Sequence, residues 1–274
     1  MLWAQESMTL ATHLTTLTEI AEDKIIAALG PMLYIDPVSH KHMNVKTLRK
    51  RRTVARAALR ELKKEITVWA KEAIKQSYNA GIAAANAQVR YYVKPNKLAK
   101  TGKIHISAAK ILVDKTNERL STVFAAANHT IQHVYQSVIL ESAKLKITSG
   151  YESWTRTSRI FLNEFTQKGI VGFTDKAGRR WSMSAYTNML ARTVLHEAHN
   201  EAQWREFVAN GLDLIIVSSH SGACPLCEPW AGKILSLTGL TGGYPTLEAA
   251  KGDGLFHPNC LHTTSLYVPD EDKE

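Results

Sequence analysis

The sequence predicts a mostly α-helical protein, in which long N-terminal helices are followed by a smaller α+β C-terminal module. Two observations predict this fold class. Apolar residues recur every three or four positions along much of the first 150 residues, as they do on one face of a helix. Short segments rich in strand-forming residues occur only later in the chain. We therefore divide the chain into a helical N-terminal region, residues 1–150, and an α+β domain, residues 151–274.

Three long helices are predicted in the N-terminal region. The first covers about Ser7–Leu29, with Ser7 as its cap and Gly30-Pro31 as its end. The second and longest covers Val45–Tyr92, and the third covers about Ser107–Lys146. Long helices with narrow apolar stripes pack as bundle arms, against each other or against another subunit.

The elements become shorter after Gly150. Helices are predicted over 152–168 and 184–209, with a β-hairpin over 170–183 between them. The run Leu212–Ser218 is rich in β-branched residues and predicts a buried strand. This strand leads directly into the part of the chain that holds all three cysteines.

The positive charge of the chain is concentrated in the second helix. Most of the formal net charge of +9 comes from residues 46–64, where Glu61 is the single acid. The rest of the chain is close to neutral. We expect this segment to contact a polyanion, either nucleic acid or an acidic protein surface, although a merely solvated helix face is the alternative. We also expect the first half of this helix to project from the bundle. The basic residues are Lys46, Arg49, Lys50, Arg51, Arg52, Arg56, Arg60, Lys63 and Lys64.

The three cysteines form a pattern typical of a structural zinc site. Cys224-Pro-Leu-Cys227 places two thiolates on one tight turn, and His257-Pro-Asn-Cys260 repeats this spacing about thirty residues later. We therefore predict a site made of Cys224, Cys227, His257 and Cys260, with His262 as the alternative fourth ligand. Such a site would staple a module that is rich in loops.

Other interpretations of the same residues stay open. The cysteines could be buried free thiols, with the histidines on loops. A strand followed by Cys-x-x-Cys also resembles a thioredoxin-like redox site, but Pro229 and Gly232 disfavour the helix that should follow the second thiol. The pair His196 and His199 lacks the spacing of a zinc protease motif, and we interpret it as part of a solvated helix face.

Five blocks in the C-terminal part of the chain resemble a known family. They are Gly172–Trp181, Tyr186–Thr193, Asn210–Asp213, Cys224–Lys233 and Gly254–His262. Their content and order are similar to the phage minor capsid proteins, which are related to the F-like head morphogenesis proteins of phage Mu. The resemblance covers residues 150–268, and it departs from the family at Leu261, where relatives carry arginine.

The resemblance implies a structural component of the virion, located in the capsid interior or at the portal vertex. It implies the portal protein or the major capsid protein as partners, oligomerisation in the particle, and a role in head assembly, DNA packaging or ejection. Packaged DNA would be contacted without sequence specificity. The sequence shows no membrane-spanning run, no secretory signal, no small-molecule site and no convincing catalytic constellation.

Two other functions compete with this one. A zinc-containing nuclease, or a toxin-like effector packaged in the head, would need an open coordination position with a general base beside it. Glu228 and Asp253 are the acids closest to the cysteines in sequence, and neither has an evident histidine partner. A nucleic-acid-binding protein that uses residues 46–64 is the second competitor.

Overall fold

The computed structural model describes residues 2–33, 43–145, 173–174, 178–220 and 222–269. It confirms a mostly helical chain with a small strand-containing C-terminal module. None of the described helices is long and apolar enough to cross a membrane. The predicted helix over 152–168 lies outside the described residues. The long helices are α1 (Leu2–Leu29), α2 (Val45–Tyr92), α3 (Gly102–Leu145) and α4 (Met183–Ala209).

The N-terminal ends of two helices differ from the prediction. Helix α2 begins and ends where expected, but α1 begins five residues before Ser7 and α3 begins five residues before Ser107. Neither serine is a cap. The Ser7 hydroxyl donates to the carbonyl of Ala4 at 2.9 Å, and the Ser107 hydroxyl donates to the carbonyl of Lys103 at 3.2 Å. A serine inside a helix can satisfy its hydroxyl in this way, so the residue type alone does not mark a helix start.

The strands form two small sheets. The predicted hairpin is confirmed in its described strands, β1 (Phe173–Thr174) and β2 (Arg180–Trp181), which pair antiparallel. The second sheet has the order β4-β3-β5, with β3 (Leu214–Val217) antiparallel to both neighbours. Strands β4 (Ile234–Ser236) and β5 (Thr264–Leu266) flank it, and the short helix α5 (Leu247–Gly252) lies between them in sequence. The buried strand predicted over Leu212–Ser218 is therefore confirmed as β3, the central strand of this sheet.

The chain divides into two compact units. The first, which we call the sheet unit, contains Met1–Leu10, Ala70–Thr116 and Met189–Glu274. The second, which we call the helical unit, contains Ala11–Trp69 and Asn117–Asn188. Both draw residues from the long helices. The predicted domain boundary at residue 150 lies outside the described residues and stays a prediction.

The core of the sheet unit lies between the three-stranded sheet and helix α4. Phe207, Ile215 and Leu235 are fully buried there, as is Cys227. The indole N–H of Trp204 on α4 donates to the hydroxyl of Thr264 at 2.9 Å, which ties the helix to β5. Burial of this apolar surface fixes the sheet, and the loops that leave the sheet carry the cysteines.

A buried polar network also lies in the sheet unit. Nε2 of His105 on α3 is 2.7 Å from a carboxylate oxygen of Glu206 on α4, and the hydroxyl of Tyr78 on α2 is 3.1 Å from Nδ1 of His105. All three residues are buried. Each polar group thereby gains a partner that replaces water, which is the condition for burying such groups at low cost.

The part of helix α2 that belongs to the helical unit, residues 45–69, is packed from its first turns onward. The prediction that the first half of this helix projects from the bundle is therefore wrong. Leu48 and Ala55 are completely buried, as are Leu62 and Ile66 further along. Leu48, Ala55 and Ile66 are spaced by seven and eleven residues, which keeps them on one face. The prediction failed because Leu48 and Ala55 alone make a weak apolar pattern in a segment that contains many arginines.

The helical unit also contains a buried carboxylate that caps a helix. A side-chain oxygen of Glu22 on α1 accepts hydrogen bonds from the backbone N–H groups of Met183 at 3.0 Å and Ser184 at 3.4 Å. These are the first N–H groups of α4, which have no partner within the helix. Burial raises the pKa of Glu22, while the hydrogen bonds to Ser184 and Met183 oppose that increase.

Candidate functional site

The first cysteine loop leaves the sheet after β3. The backbone N–H groups of Cys227 and Glu228 both donate to the carbonyl of Cys224, at 2.9 Å each, so the Cys-x-x-Cys segment closes into the tight turn that its spacing predicts. The chain then returns to the sheet, where the N–H of Gly232 donates to the carbonyl of Val217 at 3.0 Å. The two thiols are thus held close to the end of β3.

The second loop precedes β5 and repeats the same turn. The N–H of Cys260 donates to the carbonyl of His257 at 2.9 Å. Phe256 and Asn259 have positive φ angles of 62° and 65°, a conformation that costs energy for a residue with a side chain. Two residues in this costly conformation within four positions indicate that the loop backbone is constrained, and that it holds its side chains in defined positions.

The two loops bring the predicted ligands together. The Cys227 and Cys260 sulfur atoms are 3.6 Å apart, and the Cys224 sulfur is 2.9 Å from Nε2 of His257. Two groups of three ligand atoms each lie within 4.8 Å of one another: Cys224, Cys227 and His257, and Cys227, Cys260 and His262. Cys227 belongs to both groups. These five residues therefore cluster in a geometry that could bind a metal ion.

The hydrogen bonds around His257 indicate which of its ring nitrogens is free. Nδ1 lies 2.8 Å from the carbonyl oxygen of Pro258. A carbonyl only accepts, so Nδ1 carries a proton and Nε2 of the neutral ring presents its lone pair toward Cys224. Histidine ligands of metals are oriented by such a bond from the other ring nitrogen to a carbonyl.

The cysteines differ in environment. Desolvation raises the pKa of Cys224, but hydrogen bonds from the backbone of Cys227 and Leu226 outweigh it and lower that pKa to about 7. Burial, followed by the neighbouring Cys260 thiol, raises the pKa of Cys227 to about 12. Cys227 and Cys260 are buried, whereas Cys224 is half-buried. None of the three forms a disulfide.

His220 is a member of this neighbourhood that the sequence pattern did not identify. Its Nε2 is 3.3 Å from Nδ1 of His262, and the two rings are 4.2 Å apart between centroids. Nδ1 of His262 is in turn 3.6 Å from the Cys260 sulfur. His220 lies four residues before Cys224, but only the pairing of β3 with β5 brings it beside His262.

His196 and His199 are not on a solvated face, and that interpretation is wrong. His199 is buried, and its ring centroid lies 4.0 Å from that of Trp3. Burial lowers the pKa of each histidine to about 4. Both are outside the groups of ligand atoms described above. The sequence could not show that the pair is covered, because Trp3, which packs against both histidines, lies close to the N-terminus and far from them in the chain.

The surroundings of the second thiol do not fit a thioredoxin-like site. Cys227 is followed by a short 3-10 turn, Glu228–Trp230, and then by strand β4. The long helix that would lower the pKa of a redox thiol is absent from this described part of the chain. Glu228 and Asp253, the acids closest to the cysteines in sequence, are both exposed and belong to neither group of ligand atoms.

The predicted basic residues fall into two classes. Lys46, Arg49, Lys50 and Arg60 are exposed, together with Lys63 and Lys64. At 3.6 residues per turn, all of these except Lys63 lie within about 100° of one another around α2, opposite the buried apolar face. We call Lys46, Arg49, Lys50, Arg60 and Lys64 the exposed stripe; it is about 27 Å long at 1.5 Å per residue.

The other three basic residues are half-buried and make contacts inside the helical unit. The Arg52 guanidinium lies 4.1 Å from the centre of the Tyr135 ring, and Nε of Arg56 donates to Asn128 at 3.0 Å. Arg51 reaches the carbonyl of Ala27 at 3.4 Å. These three side chains therefore hold α2 against its neighbours, which the sequence interpretation did not anticipate.

Comparison with known proteins gives a family match along nearly the whole chain. The model of a family described as phage minor capsid protein 2 matches residues 24–273. A structural protein of Lactococcus phage LL-H is 27% identical over 207 residues, which is 70% of this chain and 54% of that protein. The chain thus spans about half the length of this curated relative. No solved structure is significantly similar.

Proposed function

The chain belongs to the phage minor capsid protein 2 family, and from this premise we propose that it is a structural component of the virion that acts at the portal or on the inner face of the head. Its partners would be the portal protein or the major capsid protein, and it would be oligomeric in the particle. Its role would lie in head assembly, DNA packaging or ejection.

The observation that carries this proposal is the extent of the family match. Residues 24–273 include most of both compact units and the whole Cys/His cluster, so the match does not depend on one local motif. The LL-H relative is itself described as a structural protein. Helix α2, at 48 residues, is about 72 Å long, and such a helix offers an extended surface for assembly.

Within this function, the Cys/His cluster would hold one structural zinc ion. Its donors are three thiols and imidazole nitrogen, the set that structural zinc sites use. With Zn–S near 2.3 Å and Zn–N near 2.0 Å, tetrahedral ligands are separated by about 3.5–3.8 Å. The 3.6 Å between Cys227 and Cys260 agrees with this range. Bound zinc would join the two loops and so contribute to folding.

His257 remains the proposed fourth ligand, with Cys224, Cys227 and Cys260. Its Nδ1 is already committed to the carbonyl of Pro258, so Nε2 is the nitrogen available to a metal. The 2.9 Å contact with Cys224 is a hydrogen-bond distance, and it would have to lengthen by about 0.6 Å if both atoms bound one tetrahedral ion. His262, with Nδ1 3.6 Å from Cys260, is the competing ligand.

The exposed stripe would supply the polyanion contact. Its cations face away from the apolar core of the helical unit, whereas Arg51, Arg52 and Arg56 are engaged in contacts within that unit. Cations held on one side of a rigid helix can follow a phosphate backbone without reading sequence. Packaged DNA is therefore the proposed partner of the stripe, and an acidic portal or capsid surface is the alternative that the binding test below would reveal.

Quantitative mass spectrometry of purified particles tests the proposed function. We expect the intact chain in full particles at a constant copy number well below that of the major capsid protein. Cross-linking inside the particle should connect it to the portal or to the capsid shell. Absence of the chain from purified particles, with abundant protein in the infected cell, would overturn the proposal.

A further inference from the structure

A second basic surface lies in the sheet unit, at the connector between α2 and α3. Residues 90–103, which we call the connector, contain five cations in fourteen residues and no acid. The net charge of the chain does not reveal this segment, because acidic residues elsewhere balance its positive charge. Its cations are Arg90, Lys94, Lys97, Lys100 and Lys103.

The connector is anchored to the protein rather than loosely attached. Val93 and Leu98 pack against the buried core of the sheet unit. The N–H of Ala99 donates to the side-chain oxygen of Asn210 at 3.0 Å, and a short 3-10 turn, Pro95–Lys97, is closed by a bond from Lys97 to the carbonyl of Lys94 at 2.9 Å. The backbone that carries the charges is thus held in place, so a partner need order only the side chains.

Every cation of the connector faces solvent. All five are exposed, and none forms an ion pair with another residue in the described part of the chain. Two tyrosines lie among them: Tyr91 is 86% exposed and Tyr92 is 41% exposed, with their rings 5.5 Å apart. An exposed aromatic pair flanked by Arg90 and Lys94 is not explained by packing.

We propose that the connector binds the phosphodiester backbone of DNA, as a contact separate from the exposed stripe. DNA carries about one negative charge per 1.7 Å of its axis, and this density matches a surface with closely spaced cations and no acid. Tyrosine hydroxyls also donate to phosphate oxygens, and their rings can stack on unpaired bases. The aliphatic residues Val93 and Leu98 face the core of the sheet unit, so they are not available to the apolar centre of a protein interface.

The test measures binding of the full-length chain to a duplex oligonucleotide of mixed sequence by fluorescence anisotropy across a salt series. The connector variant carries Lys94→Gln, Lys97→Gln, Lys100→Gln and Lys103→Gln. Its affinity at low salt should fall at least about tenfold, and the slope of log K against log salt should flatten by about 3 to 4 if four phosphate contacts are lost. The four lysines are exposed, so thermal unfolding of this variant should match that of the parent chain.

A matched control removes the same charge elsewhere. Lys71, Lys75, Lys115 and Lys233 are also exposed, and their replacement by glutamine should leave most of the affinity and slope in place. An equal loss in both variants would overturn the proposal, because net charge alone would then explain binding. Displacement of the duplex by poly-glutamate at equal charge would also overturn it, in favour of an acidic protein. The assay uses purified chain, so its outcome is independent of whether particles contain the protein.

Discussion

The sulfur atoms of Cys227 and Cys260 lie 3.6 Å apart, although thirty-three positions separate the two residues in the chain. Both thiols are buried in the same core as Ile215 and Leu235. Two buried thiols facing each other form at best a weak hydrogen bond, whereas one metal ion between them would bind both as thiolates. The arrangement therefore makes predictions about metal content and stability.

Replacement of Cys227 by serine should remove the metal and destabilise the sheet unit. Cys227 belongs to both groups of ligand atoms, so neither His257 nor His262 can compensate for it. Structural zinc contributes on the order of 10 kcal/mol to folding in small modules, so the loss should appear as a large fall in melting temperature. Elemental analysis should find about one zinc per chain in the parent protein. The control is Leu226→Ala, an exposed change on the same turn, which should keep the metal. A parent protein that is folded but contains no metal would contradict the proposed zinc site.

The fourth ligand can be identified by comparing two alanine variants. His257→Ala should lower zinc affinity by at least about tenfold, because loss of one of four ligands opens the site to water. His262→Ala should keep the metal, although it will cost some stability because His262 is buried. Competition with a chromogenic chelator measures both affinities. The reverse order of effects would assign the fourth position to His262.

The regular parts of this fold could be predicted because their signals are local. Helix α2 was placed correctly at both ends, and the cysteine pairs were recognised from spacings of three residues. Each of these features depends on neighbours in the sequence. The two turns that carry the predicted ligands are local in the same sense, since each is closed by its own backbone hydrogen bond, whereas the bound metal itself stays a prediction.

The features that the sequence did not predict depend on residues far apart in the chain. His220 joins His262 only through the pairing of β3 with β5, and Trp3 covers His199 only because α1 begins at Leu2. Likewise, Arg52 counts as a solvated charge until Tyr135 of α3 is placed against it. Net charge and periodicity contain no information about such contacts.

Asp213 should stabilise the loop after β4 in a pH-dependent manner. Its carboxylate accepts hydrogen bonds from Ser236 at 2.5 Å, from Thr241 at 2.6 Å, and from the backbone and side chain of Thr238 at 2.8 and 2.6 Å. Partial burial raises the pKa of Asp213, but these hydrogen bonds outweigh it and lower the pKa to about 2, from an ordinary value of 3.8. The folded state therefore favours the ionised form.

Because the folded pKa is depressed, this stabilisation is complete above pH 3.8 and is lost as the pH falls toward 2. Asp213→Asn should cost on the order of 1 kcal/mol at neutral pH, a value reduced because the carboxylate is partly exposed. Chemical unfolding at a series of pH values measures the difference between parent and variant. The gap should narrow in acid; a constant gap would mean that the carboxylate charge does not matter.

Gly81 should not tolerate a side chain. A Cβ at this position of α2 would lie 2.3 Å from the carbonyl oxygen of His199 and 2.8 Å from Cβ of Ala202 on α4. Backbone cannot yield without moving a helix, so Gly81→Ala should destabilise the protein by about 1–3 kcal/mol despite the higher helix propensity of alanine. Gly102→Ala is the matched control, since no atom lies within 4 Å of that position. Equal stability of the two variants would refute the close approach of α2 and α4.

The exposed stripe and the half-buried arginines of α2 should respond differently to the loss of charge. Replacing Lys46, Arg49, Lys50 and Arg60 with glutamine should leave the free energy of unfolding within about 0.5 kcal/mol of the parent value, because exposed side chains contribute little. The same change should flatten the slope of log K against log salt for duplex binding by about 3 to 4, the value expected for four lost phosphate contacts.

Replacing Arg51, Arg52 and Arg56 should instead lower the free energy of unfolding by about 1–3 kcal/mol, since it removes the Tyr135 and Asn128 contacts. Anisotropy and thermal unfolding on both variants separate the two roles. If neither variant changes duplex binding while the stripe variant fails to enter particles, the stripe docks on an acidic portal or capsid surface and not on DNA.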